Sequence, residues 1–143
     1  MIRLFIAIAL AMTLASCVLA MPQPSVSDYF VTRSGSFALR LNEQRQVDSC
    51  HYSLVLKLRK DIPKPIYLLA RFENPTNAAS PTVTNLVVQP GSDRIFIDSS
   101  NVTGFKPKHD YLIEVLIFDT PDHLSQIGSH KQYIRYDEPN FVK

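Results

Sequence analysis

The chain has 143 residues, 45% hydrophobic and 20% charged, with ten Pro, four Gly, two Cys and no Trp. At ~150 residues per domain this length holds one domain, and an apolar share near the ~45–50% of ordinary globular chains excludes wholesale disorder. Fifteen basic against thirteen acidic residues leave +2, too weak a field to imply a nucleic-acid partner, and two cysteines cannot build a disulfide framework or a Cys-based zinc site.

The first element is a targeting segment over residues 1–20. Arg3 supplies a positive charge, and Leu4 to Leu14 is apolar apart from Thr13, within the ~7–15 residues of a secretory h-region. Three outcomes stay open at its end. Leu14-Ala15-Ser16-Cys17 resembles the bacterial lipobox, which implies cleavage before Cys17, lipidation of that cysteine and an anchor in the membrane. With Val18 rather than Asp after the cysteine, the same resemblance implies an outer-membrane destination. Alternatively, Val18-Leu19-Ala20 suits ordinary cleavage before Met21, giving a soluble secreted chain. Leu4 to Met21 could also stay as an anchor, at the lower length limit for crossing ~30 Å of hydrocarbon. Cleavage at either site removes Arg3 and leaves a nearly neutral chain, in which Cys50 has no intramolecular disulfide partner. Cys50 reads as a buried small hydrophobe near a strand start.

Residues 21–27 read as a tether, and 28–143 as the folded domain. Helical periodicity is nearly absent there, while period-two alternation recurs. Asp28 to Thr32 and Ser36 to Leu41 are strand candidates joined through Ser34-Gly35. In Tyr52 to Arg59, Tyr52, Leu54, Leu56 and Leu58 fall on one face, and Ser53, Val55, Lys57 and Arg59 on the other. Ile66 to Phe72 follows after Pro63 and Pro65, which forbid a continuous strand. Val83 to Val88, Arg94 to Asp98, Tyr111 to Phe118 and His130 to Tyr136 complete the set, separated by turn chemistry such as Asn74-Pro75, Pro90-Gly91 and Thr120-Pro121-Asp122. Seven or eight short strands predict an all-β fold, an antiparallel sandwich.

Val102 to Val115 narrows the fold. Phe105, one spacer, Pro107, three residues and Tyr111 lead into an alternating strand. This segment resembles the E–F corner of fibronectin type III domains, so the chain is expected to be an immunoglobulin/fibronectin III-like sandwich. The resemblance implies a tyrosine corner, with the Tyr111 ring in the core and its hydroxyl on a backbone group a few residues upstream. The Trp usual in strand B of that family is missing; Tyr52 or Leu54 is expected to take its space.

Candidate chemistry is sparse. Asp119, Asp122 and His123 crowd one loop, but two carboxylates fall short of the 6–8 oxygen ligands of calcium, and a turn explains them as well. No Gly-x-Ser-x-Gly elbow and no phosphate-cradling Gly-rich loop occurs, and Glu114 is expected to point outward into solvent. Asn101-Val102-Thr103 is a glycosylation acceptor if the chain enters a eukaryotic secretory pathway. Lys57, Arg59, Lys60 and Lys64 read as edge charges that discourage strand-to-strand aggregation. Val55, Leu69, Phe96, Leu112, Leu116 and Phe118 lie on second strand faces, where they are either a partner surface or additional core. The resulting expectation is a non-enzymatic exported sandwich without cofactor: an outer-membrane lipoprotein, facing the periplasm or the cell surface, that binds a protein partner or serves in envelope assembly. The alternatives are a soluble secreted binding protein and a small calcium- or ligand-binding sandwich.

Overall fold

A computed structural model describes residues 29–32, 35–44 and 47–137. The expectations for residues 1–20, for Cys17 and for the tether 21–27 lie outside the described residues. The described chain forms eight strands: β1 (Phe30–Thr32), β2 (Ser36–Leu41), β3 (Val47–Leu58), β4 (Ile66–Phe72), β5 (Thr82–Val88), β6 (Arg94–Asp98), β7 (His109–Phe118) and β8 (Gln126–Tyr136). Four strands begin earlier than the alternation indicates, β5 and β7 by one and two residues and β3 and β8 by more. β3 starts at Val47, on exposed residues that pair with β2, and β8 starts at Gln126 and takes in Gly128 and Ser129, a pair expected in a turn. Backbone pairing extends both strands beyond the stretch in which apolar side chains mark them.

The strands make two antiparallel sheets. In the first, Lys57 of β3 stands opposite both Val31 of β1 and Arg94 of β6, and Ser53 opposite both Ser36 of β2 and Asp98 of β6. A strand has two edges, so β1 and β2 share the edge of β3 that β6 does not occupy. They are two pieces of one interrupted edge strand. The second sheet has the order β5-β4-β7-β8.

Both sheets turn their alternate residues into one core. β3 contributes Cys50, Tyr52, Leu54, Leu56 and Leu58; β4 contributes Ile66, Leu68, Ala70 and Phe72; β7 contributes Tyr111, Ile113, Val115 and Ile117. Each fully buried Leu, Ile or Val side chain stabilises by about 1.5–3 kcal/mol, so these three strands carry most of the cohesion.

One end of the core is aromatic. Tyr52 stacks on Phe72 with ring centroids 5.3 Å apart. Phe105 meets Phe37, Tyr52 and Tyr111 edge-on at 5.0–5.3 Å and lies flat against Tyr136 at 5.2 Å. The backbone reaches Phe105 through Gly104 at φ 83°, where an added Cβ would also stand 2.7 Å from the Thr76 methyl. Only glycine meets both conditions without strain.

The hydroxyls of the fully buried Tyr52 and Tyr111 must find partners inside this cluster, since burying an unpaired polar group is costly. The Tyr111 hydroxyl accepts a hydrogen bond from the Lys106 amide at 2.7 Å. The Tyr52 hydroxyl crosses from the first sheet to donate to the Glu73 carbonyl at 2.7 Å. A neutral hydrogen bond nets about 0.5–1.5 kcal/mol. Tyr111→Phe is therefore expected to lower stability by about that amount and the melting temperature by roughly 4–8 °C per kcal/mol in a domain of this size. A thermal melt followed by circular dichroism measures it, and an unchanged melting temperature would remove the role assigned to the hydroxyl.

Candidate functional site

The outward residues of the second sheet form a layered surface. Across the strands, Val83, Arg71, Glu114 and Lys131 share one row, and Asn85, Leu69, Leu116 and Ser129 the next. Glu114 occupies the centre of the charged row. One of its carboxylate oxygens lies 2.8 Å from Lys131 Nζ and the other 3.5 Å from an Arg71 guanidinium nitrogen, and its side chain is only 20% exposed. The expectation of an outward Glu114 holds for direction but not for environment: cross-strand register delivers a cation on each side of it. Cross-strand charge pairs of this kind contribute about 0.2–1 kcal/mol each.

Beside this row, the strand end at Glu73 makes a groove. The Glu73 amide donates to the Leu112 carbonyl at 3.0 Å, continuing the ladder between β4 and β7. Its own carbonyl is turned inward to Tyr52, so the Leu112 amide takes the Glu73 carboxylate instead, at 2.9 Å. The other carboxylate oxygen lies 4.0 Å from His109 Nε2. An open groove of about 380 Å³ results, lined by Arg71, Glu73, Ala78, Pro81, Leu112 and Glu114. Glu73 and Glu114 both present carboxylates there, and their four oxygens face Lys131, Arg71, the Leu112 amide and the His109 imidazole. The groove therefore sets two partnered carboxylates beside apolar Leu112 and Pro81.

The loop between β7 and β8 holds the sequence-predicted Asp119, Asp122 and His123. Asp122 accepts from the Thr120 hydroxyl at 2.6 Å and from the Leu124 amide at 3.0 Å, which closes the turn. Asp119 faces Lys64 at 3.6 Å. His123 adopts φ 58° and lays its ring 4.7 Å from Phe118. Each carboxyl is thus engaged within the loop or by Lys64. Among the described residues, no three His, Cys, Asp or Glu side chains gather as a metal-holding group.

The other singled-out residues are dispersed. Phe105 and Tyr111 lie in the aromatic cluster, and Pro107 is exposed in the turn before β7. Asn101 is exposed after β6, while Val102 beside it is buried and bridges to Cys50. The hairpin cations are largely engaged: Lys57 faces Asp93 at 3.9 Å, Lys64 faces Asp119, and Arg59 donates to the Phe30 carbonyl at 3.0 Å. Of the second-face apolar residues, Phe96 is 66% exposed, but Phe118 is buried. Phe118 still stands opposite Tyr67 of β4 in the outward row, and the His123 ring from the following loop lies against it. Sequence reasoning missed Glu73 and Arg71 altogether; Glu73 directly follows a strand whose alternation ends at Phe72, and that position was the available signal.

Comparison with protein-family models, with curated proteins and with solved structures finds no match to the chain.

The charged groups set a pH response. The Arg135 guanidinium, bonded to both oxygens of Asp110 at 2.9 and 3.1 Å, holds that carboxyl below its ordinary value. The Thr120 hydroxyl does the same for Asp122. A depressed folded-state value adds stability above the unfolded carboxyl value near ~3.9, and that stability is lost as pH falls through the lower folded values. The melting temperature is expected to fall as the pH is lowered below about 4, with a shallower fall in Asp110→Asn or Asp122→Asn. Equal slopes in the variants and the unsubstituted chain would contradict this.

Burial pushes the Cys50 thiol up to about 11, and the residue is free and inside the core. The thiolate is the reactive form. Peptide mapping after iodoacetamide treatment at neutral pH should find Cys50 unmodified in the folded chain and modified in denaturant; rapid labelling of the folded chain would show that the site opens.

Proposed function

We propose that this chain is an exported, non-enzymatic sandwich module of the immunoglobulin/fibronectin III-like type, anchored through a lipid on Cys17 and acting in the outer membrane as a binding or assembly part. The family type is supported by the pairing pattern. One sheet holds the interrupted first strand, β3 and β6; the other runs β5-β4-β7-β8, which corresponds to the C′-C-F-G order. The Tyr111 hydroxyl on the Lys106 amide supports it as well. Tyr52, buried against Phe72 and Phe105, takes the part of the missing Trp in this reading.

The observation that carries a binding role is the outer surface of the second sheet. There a groove of about 380 Å³ opens beside the Arg71–Glu114–Lys131 row, and Val83 and Tyr133, the strand neighbours of Arg71 and Leu112, stand exposed. Its carboxylates are held by partners and no nucleophile–base pair converges on it, so its chemistry is that of recognition. The anchor is supported by Leu14-Ala15-Ser16-Cys17 directly after the apolar run. A soluble secreted form is the second reading, favoured by the exposure of Asn101 in its acceptor tripeptide.

Metabolic labelling with a radiolabelled fatty acid, compared between the unsubstituted chain and Cys17→Ala, tests the anchor. Label and membrane fractionation are expected in the former and loss of both in the latter. An unlabelled chain whose intact mass begins at Met21 would overturn the anchor and establish the soluble form.

A further inference from the structure

Four strand edges border the two sheets, and they are unequally protected. An open edge presents a row of unpaired N–H and C=O groups, which proteins blunt with charge, proline, bulges or irregularity. β8 carries Lys131 and Arg135, and its pairing with β7 shifts between Ile117 and Phe118. The β1/β2 edge is broken in two and shifts register again between Arg40 and Leu41. β6 has five residues and is bounded by Arg94 and Asp98. β5 has none of these devices, although its Thr84 hydroxyl donates to the Asp98 carbonyl of β6 at 2.9 Å. It runs Thr82-Val83-Thr84-Asn85-Leu86-Val87-Val88, seven residues without charge or proline, in unbroken register with β4 from Phe72↔Thr82 to Ile66↔Val88. Among the described residues β4 is its single neighbour in the sheet, and Val83 and Val87 are 51% and 47% exposed.

The same strand is complementary to itself. Two copies laid antiparallel about a two-fold axis at Asn85 put Val83 opposite Val87 of the partner subunit and Val87 opposite the partner's Val83. The two Asn85 amides then face each other at the centre. With side chains alternating between faces, these three positions share the outer face, so apolar residues meet apolar residues and an amide meets an amide. No charge in β5 selects for an oppositely charged foreign strand. Next to the edge, a second groove of about 220 Å³ is bordered by Leu86, Val87, Arg94 and the exposed Phe96, which extends the available apolar surface beyond a single strand pair. Such an isologous contact closes on itself as a dimer.

We infer that β5 pairs antiparallel with β5 of a second copy of this chain, joining two four-stranded sheets into one continuous sheet of eight. This rests on the sheet edge alone and not on lipidation or export.

Short-range thiol crosslinking of the full chain tests it, with the unsubstituted chain giving the background from Cys17 and Cys50. Asn85→Cys is expected to yield a crosslinked species of two chain masses well above that background. Val83→Cys and Val87→Cys, each alone, stay uncrosslinked, whereas an equal mixture of the two crosslinks, because the register sets 83 against 87. Adding Val87→Lys to Asn85→Cys abolishes the dimer, because the register then sets a lysine against the partner's Val83 at the edge. All three positions point outward, so the core is untouched by these changes. Absence of a dimer for Asn85→Cys, equal crosslinking by Val83→Cys alone, or a product whose mass is not twice the chain would each overturn the inference.

Discussion

Two tyrosine hydroxyls inside an aromatic core are the constraint from which much of this molecule follows. Tyr52 and Tyr111 supply large buried rings, but each carries a polar atom that must be satisfied away from water. Tyr111 solves this locally by taking the Lys106 amide, which fixes the path of the chain into β7. Tyr52 solves it across the sandwich by taking the Glu73 carbonyl, which ties the first sheet to the end of β4. The second solution has a cost that is met on the surface. With its carbonyl turned inward, Glu73 can no longer accept from Leu112 through the backbone, and its carboxylate does so instead. One wall of the outer groove is therefore set by a hydrogen bond in the core.

This coupling also explains which parts of the molecule were legible in the amino-acid order. Where one face of a strand is buried and the other wet, the alternation reveals both its extent and its orientation: β2, β4 and β6 have the bounds that it indicates, and Tyr52, Leu54, Leu56 and Leu58 are buried as a set. Where a strand is held by backbone pairing with polar side chains, as at Val47–Ser49 and Gln126–Ser129, no apolar period marks it. The groove was less legible still. Glu114 acquires its cations from β4 and β8, at positions far from it in the chain. Glu73 owes its role to a tyrosine in the other sheet. Such pairings are products of register, and register is a property of two strands rather than one. Phe118 shows the same limit: its alternation places it outward, opposite Tyr67, yet the His123 ring of the following loop lies against it and it is buried.

The charges of the described surface are mostly engaged within it. Arg71 and Lys131 share Glu114, Arg135 takes Asp110, Lys64 takes Asp119, and Lys57 faces Asp93. Exposed pairs like these contribute little stability individually, but together they leave a surface without a dominant field, in keeping with a net charge of +2 over 143 residues. Long-range steering then has little to act on. In the proposed binding role, recognition comes from contact: the shape of the groove, the carboxylates in it, and the main chain at the sheet border.

The distribution of cations along the strand edges bears on that last point. Lys131 and Arg135 lie in β8, Arg94 at the start of β6 and Arg40 in β2, while β5 has no charged residue. A strand that needed only to cap its sheet would tolerate a lysine at any of the outward positions 83, 85 or 87, because those side chains are exposed and make no contribution to the core. Valine there is only half covered in a lone chain and leaves the edge open to strand pairing. It gains when a second apolar strand covers it. The uncharged edge and the exposed valines are thus explained by a single cause, contact along β5, whereas a lone chain would require a separate account of each.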